Sequence, residues 1–149
     1  MENLFESEKD IIDKLLFLKK EFDLHHKIEK ILVNGEVFFI VAYEYNFLTG
    51  KIRWEGATES VLNREFDKFN NTNINEWKEL IHPEDLSLIG NYPKLDIDGF
   101  KLFTINYRIK SENGEFINLK DVGIEFLDNE GNAKNEFGLC YTNWSKRNR

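Results

Sequence analysis

The sequence predicts an α+β fold: an amphipathic helix, then an antiparallel sheet whose strands are divided into two groups by short helices. Three patterns carry that reading. Apolar residues recur at three- and four-residue intervals through residues 3–30, the spacing of one helix face. Residues 37–47 form an apolar and aromatic run, and residues 51–55 and 103–110 alternate apolar and polar side chains, strand signals set between tight turns. Residues 57–92, between them, hold cap residues and short apolar pieces of helical spacing.

Residues 3–30 read as one helix. Ser7 stands where it can cap the main body, with Asp10 at the capping-box spacing. Ile11, Ile12, Leu15, Leu16, Leu18, Phe22 and Ile28 form the apolar stripe, and Lys9, Asp13, Lys19, Lys20, Glu21 and Lys27 fill the other face. Within the stripe, Ile11, Leu15, Leu18 and Phe22 follow the 4-3-4 rhythm of a short coiled-coil seam. The helix is expected either to cap its own domain or to pair with a second copy.

Asn34-Gly35 breaks the helical pattern. Val37 to Phe47 reads as a strand, Leu48-Thr49-Gly50 as a turn, and Lys51 to Glu55 as the returning strand, with Ile52 and Trp54 on one face. Thr58 is placed to cap a helical piece holding Val61 and Leu62. The Asn-rich stretch 70–75 is expected as a loop, with Asn75 capping a helix through Trp77, Leu80 and Ile81. Pro83 suits a first helical turn, where its missing N–H would be unpaired anyway, and Glu84 and Asp85 then meet the positive end of the helix dipole. Residues 93–99 read as a loop. Phe103, Ile105, Tyr107 and Ile109 alternate with Thr104, Asn106, Arg108 and Lys110 in the next strand. Asn113-Gly114 turns it into a strand from Phe116 to Phe126, and Asp128 to Asn132 turns that one into Lys134 to Asn143.

A chain of 149 residues suits one domain, here divided into a helix at 1–32, a sheet domain at 33–144 and a basic tail at 145–149. Thirteen Phe, five Tyr and three Trp are enough to build an aromatic-rich core. A net charge of −7 opposes general nucleic-acid binding, which needs a positive surface to displace counterions. The one cysteine, Cys140, excludes an internal disulfide and a multi-cysteine metal site. The acidic N-terminus has no signal-peptide pattern, and no apolar run approaches the ~20 residues that span a bilayer. A cytoplasmic protein with no membrane and no nucleic-acid partner is expected.

Four signals occur in order: Tyr43-Glu44-Tyr45-Asn46-Phe47-Leu48-Thr49-Gly50; Leu80-Ile81-His82-Pro83-Glu84-Asp85; Tyr107-Arg108-Ile109 leading into Asn113-Gly114-Glu115; and Gly138-Leu139-Cys140-Tyr141. Their order and spacing resemble a PAS domain of the subgroup with an HPED box and a C-terminal three-strand meander of the PAC type. The resemblance covers residues 35–144. It implies a five-stranded antiparallel sheet in the order 2-1-5-4-3, with strands near 38–47, 51–56, 101–111, 115–126 and 134–143, helices over one face, and a ligand pocket between. By the family's parity Phe103, Ile105, Tyr107 and Ile109, then Ile117, Leu119 and Asp121, then Gly138, Cys140 and Thr142 face the helices. The pocket candidates are Tyr43, Tyr45, Trp54, Ile105, Tyr107, Ile109, Leu119, Asp121 and Cys140, with Arg108 or Lys120 as alternative partners for Asp121. Phe137, Leu139 and Tyr141 take the opposite parity and need an apolar cover, for which the N-terminal helix of the same or a neighbouring subunit is the candidate.

The departures from the family narrow its chemistry. Cys140 occupies the strand position where flavin-binding relatives of the LOV type keep a Gln, and no Asn-Cys-Arg-Phe-Leu-type motif stands in the helical region, so flavin photochemistry is not expected. His82 is the residue that a haem-binding relative would use as an axial ligand; otherwise it ends the loop and caps the following helix. His25 and His26 are adjacent and cannot share a metal on one helix face. Thr142-Asn143-Trp144 replaces the family's Asp-Ile-Thr exit motif. The resemblance implies a non-enzymatic sensory module of signal transduction, as in two-component systems, acting as a homodimer on a partner such as a histidine kinase, with a small ligand and no assigned cofactor. The alternatives are an interaction scaffold with a filled core, and a small α+β enzyme using Asp121 and Tyr107 as acid and base.

Overall fold

Ser7 starts the first helix: its hydroxyl accepts from the Asp10 amide at 3.1 Å, and Glu8 and Asp10 lie in the first turn, where the helix dipole favours acidic side chains. This helix, α1, runs Glu8–Asp23 in the computed structural model, which describes residues 7–33, 36–65, 72–89, 91–97 and 99–142. The single helix expected over 3–30 is therefore shorter, and residues 3–6 lie outside the described ones. The Leu24 amide closes the last turn on the Lys20 carbonyl, and His25 takes a φ of +60°, a left-handed conformation that stops propagation. Beyond it, Lys30–Val33 (β1) pairs antiparallel with Glu36–Phe39 (β2), so Ile28, read as part of the helix stripe, reaches the core from beyond the helix end. The predicted break at Asn34-Gly35 falls between these strands, outside the described residues.

The main sheet contains Val41–Asn46 (β3), Ile52–Gly56 (β4), Leu95–Ile97 (β5), Phe100–Lys110 (β6), Phe116–Leu127 (β7) and Ala133–Tyr141 (β8), ordered β4-β3-β8-β7-β6-β5 and antiparallel throughout. Five of these strands reproduce the expected order. The sixth corrects the loop expected at 93–99: Leu95 to Ile97 pairs with Phe100 to Leu102 around Gly99. This edge strand is short and faces solvent, so no alternation marks it.

The strand expected from Val37 to Phe47 is also broken. Ile40 separates β2 from β3 because its amide donates to the Glu29 carbonyl at 2.9 Å and its carbonyl accepts from Ala57 at 3.0 Å. Gly56 makes this crossing possible. Its φ is +126°, and a Cβ there would lie 2.5 Å from the Ile40 carbonyl oxygen. Gly56→Ala is expected to lower stability by about 3 kcal/mol, from backbone strain plus the clash, read as a shift in the urea midpoint. An unchanged midpoint would contradict the crossing.

One face of the sheet carries α2 (Thr58–Leu62), α3 (Ile74–Leu80) and a 3-10 helix at Pro83–Leu88. Two cap expectations are corrected. Ala57, not Thr58, is the cap position of α2 and makes no side-chain cap bond, while Thr58 is the first helical residue and buried. Asn73, not Asn75, caps α3: the Ile74 amide donates to the Gly50 carbonyl at 3.0 Å, which places the helix start, and the Asn73 side chain accepts from Glu76. Pro83 sits in the first turn of the 3-10 helix as expected.

The opposite face is covered by α1 and the β1–β2 hairpin. Ile11, Leu15, Leu18 and Phe22 are buried there with Phe137, Leu139 and Tyr141, and the Phe22 and Phe137 rings meet edge-on at 5.3 Å. The stripe is thus spent on its own sheet, the cap alternative of the sequence reading. Among the described residues no helix is long and apolar enough to cross a membrane.

Candidate functional site

Two glycines clear the floor of the site. Gly123 of β7 and Gly138 of β8 are paired across the ladder, on the face toward α2 and α3. A Cβ at Gly123 would lie 2.5 Å from the Phe103 ring, and one at Gly138 would lie 2.6 Å from the Tyr43 hydroxyl. The bare backbone of Gly138 lets the Tyr43 ring lie across β8 and reach a side chain on the strand beyond.

That side chain is Asp121. The Tyr43 hydroxyl lies 2.7 Å from Asp121 Oδ1 and 2.9 Å from Glu136 Oε2. Tyr107 donates to Asp121 Oδ2 at 2.8 Å, and Tyr92 lies 3.1 Å from Glu136 Oε1. The result is a chain Tyr92–Glu136–Tyr43–Asp121–Tyr107 joined by four hydrogen bonds. Three hydroxyls bring three protons to four bonds, so one carboxyl must carry the fourth. Burial assigns it: desolvation first, then repulsion from Asp121, pushes Glu136 up to about 8, whereas Asp121, steadied by both Tyr43 and Tyr107, rises only to about 6. At neutral pH Glu136 therefore donates to Tyr43, which donates to Asp121. This corrects the expected pairing of Asp121 with Arg108 or Lys120. Arg108 instead clamps Asp85 through Nε at 2.9 Å and the second guanidinium nitrogen at 3.0 Å, holding that carboxyl below its usual range and tying the 3-10 helix to β6.

Above this network lies a cavity of about 200 Å³. Of the predicted pocket residues, Tyr43, Tyr45, Trp54, Ile105, Tyr107 and Asp121 line it. Ile109, Leu119 and Cys140 face the same layer but lie buried in the core behind it. Phe47, Ile74, Trp77, Lys78, Ile89, Tyr92 and Glu136 also line it and escaped the sequence reading; Ile52 and Phe103, which that reading placed by face but not among the pocket candidates, line it too. The parity that places Gly138 and Cys140 inward would have found Glu136, two residues earlier on the same strand. Tyr92 carries no such signal, because it lies in the segment leading to β5. From that segment Lys94 also reaches Glu125, at 2.9 Å, so Glu125 has its own cation.

The other reactive residues lie elsewhere or are silent. His82 Nδ1 accepts from the Glu84 amide at 3.1 Å, and its ring packs tilted against Phe116, so it performs the capping role and does not line the cavity. Cys140 is fully buried beside Asp121, and desolvation pushes its thiol well up, which keeps it unreactive. His25 and His26 are exposed after α1, with His26 against Glu21. No group of three or more His, Cys, Asp or Glu positioned for a metal occurs among the described residues.

The cavity strands are tied to α1 by the residues that alternate with the lining ones. Arg53, between Ile52 and Trp54, stacks its guanidinium 3.8 Å over the Phe22 ring and donates to the Phe22 carbonyl at 2.5 Å, at the negative end of the helix. Glu44, between Tyr43 and Tyr45, holds Lys19 at 2.9 Å.

An antiparallel sheet in this strand order, with short helices over one face and a small polar-floored cavity between, is the architecture of a PAS-type α+β domain. The chain belongs to the PAS fold family, whose family model matches residues 51–135. Two solved structures share the fold. The N-terminal domain of a diguanylate cyclase with PAS/PAC sensor from Marinobacter aquaeolei is 16% identical, with a TM-score of 0.55, over 70% of this chain and 95% of that one. A sensory box histidine kinase/response regulator from Burkholderia thailandensis has the same identity, TM-score and share of this chain, over 77% of its own length. A search of curated proteins finds no match.

Proposed function

We propose that this PAS domain is a sensory and regulatory module of signal transduction that binds a small ligand in its cavity and relays occupancy through α1. The cavity carries the reading: about 200 Å³ of space bounded by aromatic rings, with a hydrogen-bonded polar network at its floor. The same open volume argues against the alternative of a scaffold with a filled core, and the unreactive Cys140 and fully hydrogen-bonded Tyr107 and Asp121 argue against an enzyme. The two structural neighbours, the N-terminal domain of a diguanylate cyclase with PAS/PAC sensor and a sensory box histidine kinase/response regulator, support a signalling role with a partner of that kind. Since Ile11, Leu15, Leu18 and Phe22 are spent on the domain's own sheet, a homodimer would use what α1 leaves exposed, Phe17 and Leu24.

Native mass spectrometry with a crystal structure tests the ligand: a retained small molecule beside Tyr43 and Tyr107 is expected. A bare mass, together with Trp77 and Tyr92 collapsed into the cavity, would overturn the reading. Arg53→Met tests the relay. It should cost about 1–2 kcal/mol, from a lost charged hydrogen bond and cation–π contact, and should speed hydrogen exchange in α1 while shifting tryptophan emission from the neighbouring Trp54. Faster exchange with unchanged emission would mean that α1 is attached to the cavity strands but not coupled to them.

A further inference from the structure

The two carboxyl groups at the cavity floor have no cation of their own. Their four bonds come from tyrosines and from each other through Tyr43, and neither has a Lys, Arg or His ion-pair partner among the described residues. Lys94 is occupied by Glu125, and Lys78, the one cation in the lining, is exposed at the mouth. With one proton shared in the network, the floor keeps one net negative charge on carboxyl groups that are themselves buried. Such a charge is costly unless something positive faces it.

The walls fit that requirement. Trp54 lies tilted 4.8 Å from Trp77 and 5.5 Å from Tyr43 between ring centroids, Trp77 meets Tyr107 edge-on at 6.1 Å, and Tyr92 packs tilted against Phe103 at 4.7 Å. Aromatic rings attract organic cations to their faces through the ring quadrupole. Because every carboxyl oxygen of Asp121 and Glu136 already holds a tyrosine hydroxyl, the floor is better suited to read charge than to satisfy a new set of N–H donors. A methylated ammonium, which offers charge and apolar surface without N–H groups, matches both floor and walls.

We propose that this cavity takes a small organic monocation of the methylated-ammonium class, with roughly six to ten non-hydrogen atoms, judged against the ~150 Å³ that accommodates benzene. The proposal rests on the sensory reading above and narrows its ligand.

Charge isosteres of one shape decide it. Choline, 3,3-dimethylbutan-1-ol and 3,3-dimethylbutanoate are titrated into the full chain by calorimetry and tryptophan emission. Choline is expected to bind at least about tenfold tighter than the neutral alcohol, with the carboxylate weaker still. Asp121→Asn should remove the difference between choline and the alcohol, with circular dichroism confirming the fold. The isostere comparison on the unsubstituted chain decides the matter even where that variant does not fold. If the alcohol or the carboxylate binds as tightly as choline, the cation proposal is overturned and the ligand-binding reading stands. If none of the three binds or changes the emission, both fail.

Discussion

Glu136→Gln is expected to flatten the fall in stability that the unsubstituted protein shows as pH rises from about 4.5 to about 8. Glu136 is buried and its carboxyl is raised from an ordinary 4.5 to about 8, chiefly by desolvation. Between those values the folded protein holds a proton that the unfolded chain has released. Stability therefore decreases with rising pH through this window and levels off above it. At ~1.4 kcal/mol per pH unit the loss is on the order of 5 kcal/mol. Gln keeps the neutral hydrogen-bonding pattern, with an amide that donates to Tyr43 and an oxygen that accepts from Tyr92, and does not titrate. Asp121 contributes in the same direction over a lower window, from 3.8 to about 6, and that part should survive the substitution. Asp85, held low by Arg108, acts oppositely but only in the acid range below its ordinary 3.8. Urea midpoints at mildly acid and mildly alkaline pH measure the slope. A curve that rises toward alkaline pH in the unsubstituted protein would sink the account of the network.

Leu15→Asp should detach α1 and cost more than about 4 kcal/mol, the scale of an unpaired charge placed in a core. Leu15 is fully buried in the layer between α1 and the sheet. The side chains clustered around Leu15 are apolar, so a buried carboxylate there must protonate or the helix must leave. Departure would expose Phe137, Leu139 and Tyr141 and give a rise in dye binding. Because α1 covers its own sheet, the loss should not depend on protein concentration. A loss that disappears on concentrating the protein would place the contact between copies instead.

The local elements were legible where local chemistry decides them. Asn113-Gly114 turns the chain through local groups, because Asn113 Oδ1 accepts from the Glu115 amide and Gly114 takes a φ of +89°. Ser7 and Pro83 mark helix starts through groups within one turn. Alternation through Phe103 to Ile109 assigns faces because a pleated strand has a period of two. Other features were invisible for equally physical reasons. His25 ends α1 without a glycine signal, Asn73 wins the cap over Asn75 through a bond to distant Gly50, and β5 exists by pairing, not by pattern.

The site divides the same way. Tyr43, Tyr107 and Asp121 could be placed inward from strand alternation together with the family resemblance, so the sequence by itself determined five strands of the sheet, its two faces and part of the polar set on the inner one. It could not say that these residues share protons. That depends on Gly138 letting Tyr43 lie across a strand, and on the segment before β5 carrying Tyr92 over to Glu136. The tertiary structure alone decided that the cavity remains open and that its floor is a single proton-sharing network. Ring packing and hydrogen bonds between residues 78 and 93 positions apart exist only once the sheet has brought them together.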